Sequence, residues 1–294
     1  TRLQMPENPG GMQLTHATLG AFTKYPRESC IPLLGESCSG ASAKKFGFNQ
    51  SERVQFESVA AHCGLLRRNA EAAWWARHPL AFLVEAADDI CYRLVDFEDG
   101  FRLGYLQYGE VRDSFYALMP EPMRPTRLQE AQSDLRRVQI LRAMAIGCAI
   151  EQCAEVFLEH ENAILAGSFD RPLIEAGPFQ KAWKQIQSRS QESIYCTTRS
   201  VEIEAAGFEV LGGLLDVFVS AINDRAARGD AASTRSKKLL LLVPPEIFDG
   251  GNGRIPLKDA YQRLLKILDF VSGMTDSYAV SLYKKVRGIS LPGY

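Results

Sequence analysis

Residues 77–100 read RHPLAFLVEAADDICYRLVDFEDG, and this stretch decides the fold class of the chain. Pro79 suits the first turn of a helix and Gly100 suits a helix end, so one long helix is predicted between them. One face of this helix collects the apolar residues Leu83, Val84, Ala87 and Cys91. The helix is therefore predicted to be amphipathic.

A separate face of the same helix carries Asp88, Tyr92 and Asp96 at steps of four residues. These positions drift by only about 40° per step, so they share one side over about 12 Å. A carboxylate can bind a metal ion or orient a water molecule, and a tyrosine can pack on a sugar ring. From spacing alone such a pattern is more often a solvated acidic face, and both interpretations stay open here.

Helical periodicity dominates the rest of the chain and predicts an all-α fold. Leu135, Val138, Leu141 and Cys148 recur at helical spacing and mark one buried face. Helices are predicted over residues 51–64, 79–100, 103–118, 125–167, 176–190, 198–227 and 257–287.

The C-terminal part is predicted to form a subdomain. Residues 225–238 are small, polar and charged, which predicts a loop, and LLLLV at 239–243 is compatible with either a strand or a helix. We expect a helical core over residues 1–230 and a C-terminal helical subdomain of the same unit over residues 231–294.

The composition is that of an ordinary soluble protein, with 46% hydrophobic and 23% charged residues and a net charge of −1. Such a charge does not predict a general attraction to nucleic acid or to anionic membranes. Seven cysteines without a CxxC pair favour reduced thiols, and we expect a cytoplasmic location. No uninterrupted apolar run reaches the roughly 18–20 residues that a membrane span needs.

Three further features allow a functional interpretation beside a structural one. Trp74 and Trp75 could form a base-stacking platform, but tandem aromatic residues before a helix are more often packing anchors. A solvated loop would account for the basic cluster of Arg235, Lys237 and Lys238. The glycine-rich pieces at 10–11 and 249–254 lack the strand–loop–helix context of a phosphate-binding loop.

The segment 77–100 resembles the signature helix of the bacterial dGTPase-like deoxynucleoside triphosphate triphosphohydrolases, a family of the HD superfamily. Residues 10–29 (GGMQLTHATLGAFTKYPRES), 44–52 (KKFGFNQSE) and 272–283 (SGMTDSYAVSLY) also resemble that family, in its usual order. The resemblance implies the C-terminal two-thirds of an HD-domain phosphohydrolase fold. The N-terminal part of the HD core is expected to precede the first residue of this chain.

The resemblance also implies a reaction. Water attacks the α-phosphorus of a deoxynucleoside triphosphate, with dGTP as the expected substrate, and releases a deoxynucleoside and tripolyphosphate. In the family a metal ion held by two His and two Asp residues activates that water, and Mg²⁺ or Mn²⁺ is the expected ion. The fourth of those ligands corresponds to Asp88, which is therefore the expected catalytic and metal-binding residue.

Substrate-binding positions follow from the same resemblance. Tyr92 and Asp96 correspond to residues that face the deoxyribose, with Asp96 near the 3′-hydroxyl and Tyr92 where a 2′-hydroxyl would lie. Lys24 and Lys45 correspond to positions that approach the phosphates. The alternative interpretation is that both lysines are ordinary surface residues. Two further candidates for phosphate contact are Lys44, as the rival of Lys45, and Arg27.

The chain departs from the family pattern at the other metal ligands. The family's first His and its His-Asp pair precede the matched segment, and no His-Asp dipeptide occurs here. We expect His78 to be a structural residue at a helix start, and none of the histidines to bind metal: His16, His62, His78 and His160. The fragment alone is expected to be inactive. Either a preceding segment carries the missing ligands, or the protein has lost them.

Competing functions remain open at this point. The first is the metal-dependent triphosphohydrolase, and the second is a non-catalytic regulatory subunit that binds nucleotide or single-stranded DNA. A third is an HD phosphohydrolase that acts on another phosphate ester. The resemblance further implies a homo-oligomer, expected to be a hexamer, and an effector that is a deoxynucleotide or single-stranded DNA. No membrane partner is expected.

Overall fold

The computed structural model describes residues 12–31, 40–248 and 258–290. Within these ranges the regular structure is helical, and β pairing is limited to isolated bridges such as Arg27 with Trp74. The predicted all-α class is confirmed. The glycine-rich pieces at 10–11 and 249–254 and Cys38 lie outside the described residues. The six described cysteines are free thiols.

Two compact units make up the chain, one formed by Leu14–Thr197 and the other mainly by Thr198–Tyr294. The first unit contains α1 (His16–Phe22), α2 (Arg53–Cys63), α3 (Pro79–Arg102), α4 (Tyr108–Tyr116), α5 (Asp134–Glu159), α6 (Glu161–Leu165), α7 (Leu173–Ala176), α8 (Gln180–Ser190) and a π-helical turn (Gln191–Tyr195). The second contains α9 (Thr198–Arg228), α10 (Thr234–Leu240), α11 (Ala260–Ser272) and α12 (Asp276–Val286).

Helix α3 runs through the centre of the first unit and packs along α5. Phe82, Leu94 and Phe97 of α3 are at most 1% exposed and join Leu141 of α5 in one hydrophobic core. His78 caps the helix, because its Nδ1 accepts a hydrogen bond from the backbone N–H of Leu80 at 3.2 Å. The predicted long helix is therefore present, and His78 has the structural role expected of it.

The predicted apolar face of α3 is the wrong one. Leu83, Val84, Ala87 and Cys91 are all exposed, on the same side as Asp88. The buried face instead carries the residues Ala81, Phe82, Glu85, Ala86, Ile90, Leu94, Phe97, Glu98 and Gly100. The apolar pattern alone could not assign the buried side, because α3 bears apolar residues almost all the way round. The outward side is thus an apolar strip that contains an acidic residue.

Helix α5 begins at Asp134 and not near residue 125 as predicted. Ser133 caps it by accepting the N–H of Arg136 at 3.2 Å. The preceding segment forms two short 3₁₀ turns, because the prolines at 120, 122 and 125 interrupt the helical hydrogen bonds. The predicted helix 103–118 is likewise shortened to α4.

The second unit is built on α9, which packs against α10, α11 and α12. Leu214, Phe218 and Ile222 of α9 are fully buried and meet Ile267 and Phe270 of α11 in a second core. This packing places the boundary at Thr198, whereas the sequence suggested one near residue 230. It also orders the predicted loop 225–238, since α9 continues to Arg228 and α10 begins at Thr234.

Among the described residues, one stretch, Thr198–Ala231, is long and apolar enough to cross a membrane by length and composition alone, with a mean hydropathy of 1.7 over an 18-residue window. The sequence expectation of no such stretch is therefore corrected. The single charges at Glu209 and Asp216 interrupt the apolar run without lowering its mean hydropathy much. About a third of the window is buried, at 33%, and a core helix of a globular unit passes the same test.

The core between α3 and α5 gives a direct stability test. Leu141→Ala removes a fully buried side chain, so we expect the free energy of unfolding to fall by about 2–5 kcal/mol. Ile150→Ala on the same helix is the control, because Ile150 is 57% exposed and its truncation should cost about 0.5 kcal/mol or less. Urea unfolding of both variants measures the difference. Equal losses would contradict the packing of α5 on α3.

Candidate active site

The outward side of α3 presents the predicted row of polar residues. Asp88 is exposed, Tyr92 is 58% exposed and Asp96 is half-buried. Leu80 and Val84 lie on the same side and are 47% and 44% exposed. An acidic and aromatic row set in an apolar surface suits a ligand that has both polar and apolar parts.

Tyr195 joins this row from a distant part of the chain. Its hydroxyl donates a hydrogen bond to Oδ2 of Asp96, and its ring lies beside that of Tyr92, with centroids 6.1 Å apart and planes at 27°. Tyr195 is the last residue of the π-helical turn Gln191–Tyr195. Such turns are rare and are found frequently at functional sites.

A glycine lets this turn approach α3. A Cβ on Gly100 would lie 2.7 Å from Cδ1 of Ile194, which is closer than carbon atoms can pack. Gly100 thus leaves room for the side chain of Ile194 between α3 and the turn, and it does not end the helix, which continues to Arg102. This contact holds Tyr195 at the level of Asp96, one turn before Gly100.

Burial raises the pKa of the Tyr195 hydroxyl, and the hydrogen bond to Asp96 raises it further. The phenol therefore stays protonated at neutral pH and acts as the donor. An ionised carboxylate has two oxygens and accepts several hydrogen bonds, so Asp96 can still accept one from a ligand.

Lys24 is held against α3 by a buried carboxylate. Its Nζ lies 3.1 Å from Oε1 of Glu85, and the other oxygen of Glu85 accepts a hydrogen bond of 2.6 Å from Arg77. Partial burial lowers the pKa of Lys24, but Glu85 outweighs burial and the pKa is raised. Lys24 is thus a cation at the rim of α3, close enough for the charge of Asp89 to act on it.

The buried guanidinium of Arg77 extends this network. Its Nε donates to the backbone oxygen of Lys24 at 2.9 Å and lies 3.9 Å from Oδ1 of Asp170. Asp170 accepts two hydrogen bonds from Ser42 and lies 3.3 Å from Arg68. The Lys24 loop, α3 and the segment around Ser42 are therefore joined by charges that are largely out of water.

Lys45 is exposed, as is Lys44, and no ion pair among the described residues involves either lysine. Their loop nevertheless packs on the loop of Lys24. The N–H of Gly47 donates to the backbone oxygen of Arg27 at 3.0 Å, and a Cβ on Gly47 would lie 2.2 Å from the backbone oxygen of Tyr25. The two candidate phosphate-binding loops are neighbours, and Arg27 belongs to the Lys24 loop, with its Nε buried.

Asp89, next to Asp88, faces inward. Burial raises its pKa, while Arg93 at 3.9 Å and Lys24 act in the opposite direction. It also acts on Cys153 of α5, whose pKa is raised to about 11 by burial and then by the charge of Asp89. The adjacent carboxylates of Asp88 and Asp89 thus have different surroundings, and only Asp88 faces solvent freely.

Each of the four histidines contacts another group of the first unit. His16 and His62 are both exposed and stack with ring centroids 4.2 Å apart, and His160 stacks on Phe169 at 4.8 Å. His78 caps α3, and burial lowers its pKa. In the described ranges no three His, Cys, Asp or Glu side chains are grouped to hold a metal ion.

Two other sequence features have structural explanations. Trp74 and Trp75 are 4% and 5% exposed, so they are packing anchors and cannot stack on a nucleic-acid base. In the second unit, Lys237 of the basic cluster lies on α10 and donates to the backbone oxygen of Asp230 at 2.5 Å.

Comparison with known proteins gives a consistent set of relatives. The chain is 41% identical over 292 residues to the deoxyguanosinetriphosphate triphosphohydrolase-like protein of Synechocystis sp., covering 99% of this chain and 63% of the relative. It is 33% identical to a protein of the same description from Pseudomonas aeruginosa, covering 99% and 64%. No protein-family model matches the chain.

A more distant match is named as the enzyme itself, without the suffix '-like'. The deoxyguanosinetriphosphate triphosphohydrolase of Salmonella paratyphi A is 25% identical over 313 residues, covering 95% of this chain and 60% of that protein. The chain therefore spans less than two thirds of the curated relatives that it matches. These matches confirm the resemblance stated for residues 77–100.

The Arg77–Glu85 pair predicts a large effect of one substitution. Glu85→Ala leaves Arg77 buried without its partner, so we expect a loss of about 3–5 kcal/mol in the free energy of unfolding. Glu130→Ala is the control, because Glu130 and Arg127 are a mostly exposed pair 3.7 Å apart, worth about 1 kcal/mol or less. Chemical denaturation compares the two. A loss at Glu85 no larger than that at Glu130 would refute the network.

Proposed function

This chain is a homologue of the deoxyguanosinetriphosphate triphosphohydrolase-like proteins, and on that premise we propose that it forms part of a metal-dependent deoxynucleoside triphosphate triphosphohydrolase. Its expected substrate is dGTP. The products would be a deoxynucleoside and tripolyphosphate, by attack of water at the α-phosphorus. Because the chain spans less than two thirds of its relatives, the activity is proposed for the complete gene product.

One observation carries this proposal. The row Asp88, Tyr92 and Asp96 lies on an accessible side of α3, while Lys24 is fixed at the rim of the same helix by Glu85. A cation next to one end of the row suits a phosphate group, and the tyrosine and the second carboxylate suit a sugar. A nucleotide combines these two parts.

Each residue then has a defined task. Lys24 and Lys45, on neighbouring loops, would bind the triphosphate, and Lys24 would exchange its contact with Glu85 for one with a phosphate oxygen. Asp96 would accept a hydrogen bond from the 3′-hydroxyl. Tyr92 would pack against the sugar at the position of a 2′-hydroxyl, which favours deoxynucleotides.

The described residues do not make a metal site by themselves, because no three of their His, Cys, Asp or Glu side chains are grouped to hold an ion. We propose that Asp88 supplies one of four ligands for Mg²⁺ or Mn²⁺ and that the other three belong to residues of the gene product outside this chain. The bound ion would supply Lewis-acid chemistry at the phosphate. The exposed apolar strip around Asp88, with Leu80 and Val84, is consistent with coverage by such residues.

The expected partners form part of the same proposal. A homo-oligomer, taken to be a hexamer, is consistent with the apolar residues Ile203 and Phe208 of α9, which are 65% and 80% exposed. The free thiols support a cytoplasmic location. A deoxynucleotide or single-stranded DNA remains the expected effector.

Asp88→Asn in the complete gene product tests the proposal. It removes a charged metal ligand, so turnover of dGTP with Mn²⁺ should fall by about a thousandfold or more, the equivalent of about 4 kcal/mol. Stability should change by only about 0.5 kcal/mol, since Asp88 is exposed. Anion-exchange chromatography of the phosphate products measures turnover.

Asp99→Asn is the matched control, because Asp99 lies on the same helix, is 55% exposed and pairs only loosely with Arg102 at 3.8 Å. It should keep normal turnover. Near-normal turnover by Asp88→Asn would remove Asp88 from the metal site. A folded, metal-supplied gene product that binds dGTP but hydrolyses no deoxynucleotide would favour the non-catalytic regulatory subunit instead.

A further inference from the structure

We infer that Asp170 is a positioning residue of the candidate site, which holds the loop of Lys45 to the loop of Lys24 so that both lysines can bind one oligophosphate. The inference rests on the proposed function and extends it to a residue that lies 128 positions from its hydrogen-bond partner Ser42 in the sequence. The ligand class is a chain of several phosphates, because cations on two separate loops suit a ligand that carries several negative charges.

The first step is the way in which Asp170 binds the segment before Lys45. Its carboxylate accepts two hydrogen bonds from Ser42, one of 3.0 Å from the backbone N–H to Oδ1 and one of 2.7 Å from the hydroxyl to Oδ2. The backbone oxygen of Asp170 accepts a third bond, of 3.2 Å, from the N–H of Ala41. Ser42 is fully buried, so water does not compete for its bonds. Asp170 therefore anchors the 3₁₀ turn Ala41–Ala43, and Lys45 follows two residues after that turn.

The second step concerns the glycine at the start of the same turn. Gly40 has a φ of 112°, a backbone conformation that favours glycine. A Cβ at this position would lie 2.1 Å from Oδ2 of Asp170, far inside van der Waals contact. The carboxylate could move aside only by giving up its bonds to Ser42. Gly40 thus leaves room for the carboxylate, and the turn fits Asp170 through its backbone as well as through its side chains.

The third step joins Asp170 to the other loop. Nη2 of Arg68 lies 3.3 Å from Oδ2 of Asp170, and Nε of Arg77 lies 3.9 Å from Oδ1. The same Nε of Arg77 donates a hydrogen bond of 2.9 Å to the backbone oxygen of Lys24. The side chain of Arg77 is only 1% exposed, so its planar guanidinium is enclosed. Arg77 is therefore a rigid link between Asp170 and the backbone of Lys24.

The fourth step is the effect of this link on a ligand. Lys24 is half-buried and Lys45 is exposed, and a long side chain at the surface loses conformational freedom when it binds. A fixed backbone under each lysine limits that loss, because the ligand does not also have to order the two loops. The hydrogen bonds and ion pairs of Asp170 run to the two loops and to Arg68 and Arg77. Loss of Asp170 should therefore weaken the binding of phosphates selectively.

Calorimetric titration of the complete gene product tests the inference, with the Mg²⁺ complex of tripolyphosphate as one titrant and deoxyguanosine as the other. In Asp170→Asn we expect the Kd for tripolyphosphate to rise about tenfold, a size typical of coupling between neighbouring groups. The Kd for deoxyguanosine should change by less than about twofold. KM for dGTP should rise with the first value, while kcat stays within about threefold, as for a contact that binds substrate and transition state alike.

Ser42→Ala is a milder variant of the same contact, because it removes one hydroxyl and leaves Asp170 paired with both arginines. It should show the same selective loss. Ser168→Ala is the matched control, since the exposed Ser168 also loses one hydroxyl bond, of 3.1 Å to the backbone oxygen of Ala163, two residues before Asp170. It should keep both Kd values.

A double variant gives a result that a general loss of stability would not produce. Because Ser42 is inferred to act through Lys45, adding Ser42→Ala to Lys45→Ala should change the Kd for tripolyphosphate by less than about twofold. A further tenfold loss would contradict the inference.

The other outcomes separate the inference from the proposed function. Unchanged tripolyphosphate binding in Asp170→Asn and Ser42→Ala, or an equal loss of tripolyphosphate and deoxyguanosine, would overturn the role of Asp170 and leave the proposed function intact. A wild-type protein that binds no tripolyphosphate would also overturn the inference. The selective loss in a gene product that hydrolyses no dGTP would support the inference and refute the proposed function.

Discussion

The rotation of α3 about its own axis is the constraint on which the rest of this structure depends. Phe82, Leu94 and Phe97 are buried against α5, and their burial stabilises only one rotation of the helix. That rotation presents Asp88 and Tyr92 to solvent and places Asp96 at the edge, where Tyr195 reaches it. A turn of about 100°, one residue, would bury an acidic residue and expose part of the core.

Buried charged residues of the first unit hold the neighbouring loops against α3. Glu85 lies on the buried face of the helix, and its charge is acceptable there because Arg77 and Lys24 both contact it. The same Arg77 also binds the backbone of the Lys24 loop and lies near Asp170. Core packing therefore fixes the direction in which the row of Asp88, Tyr92 and Asp96 faces. The buried ion pairs fix the position of Lys24 beside that row.

Much of this arrangement could be predicted from the sequence, and the failures have physical causes. The long helix and the spacing of Asp88, Tyr92 and Asp96 follow from local periodicity, and His78 follows from its position before Pro79. The buried face of α3 was misassigned because Leu83 and Val84 are apolar yet exposed. The loop predicted over 225–238 is helical in part, since α10 is stabilised by packing on α9 and not by composition. Tyr195 could not be predicted, because only the tertiary fold and a π-helical turn bring it to Asp96.

The most direct test of the central claim is to run the reaction of the complete gene product with dGTP in water enriched in ¹⁸O and to locate the label by mass spectrometry. Attack of water at the α-phosphorus breaks its bond to the 5′-oxygen, so we predict one ¹⁸O atom in tripolyphosphate and none in deoxyguanosine. Label in deoxyguanosine, or release of orthophosphate or pyrophosphate as the first product, would contradict the account.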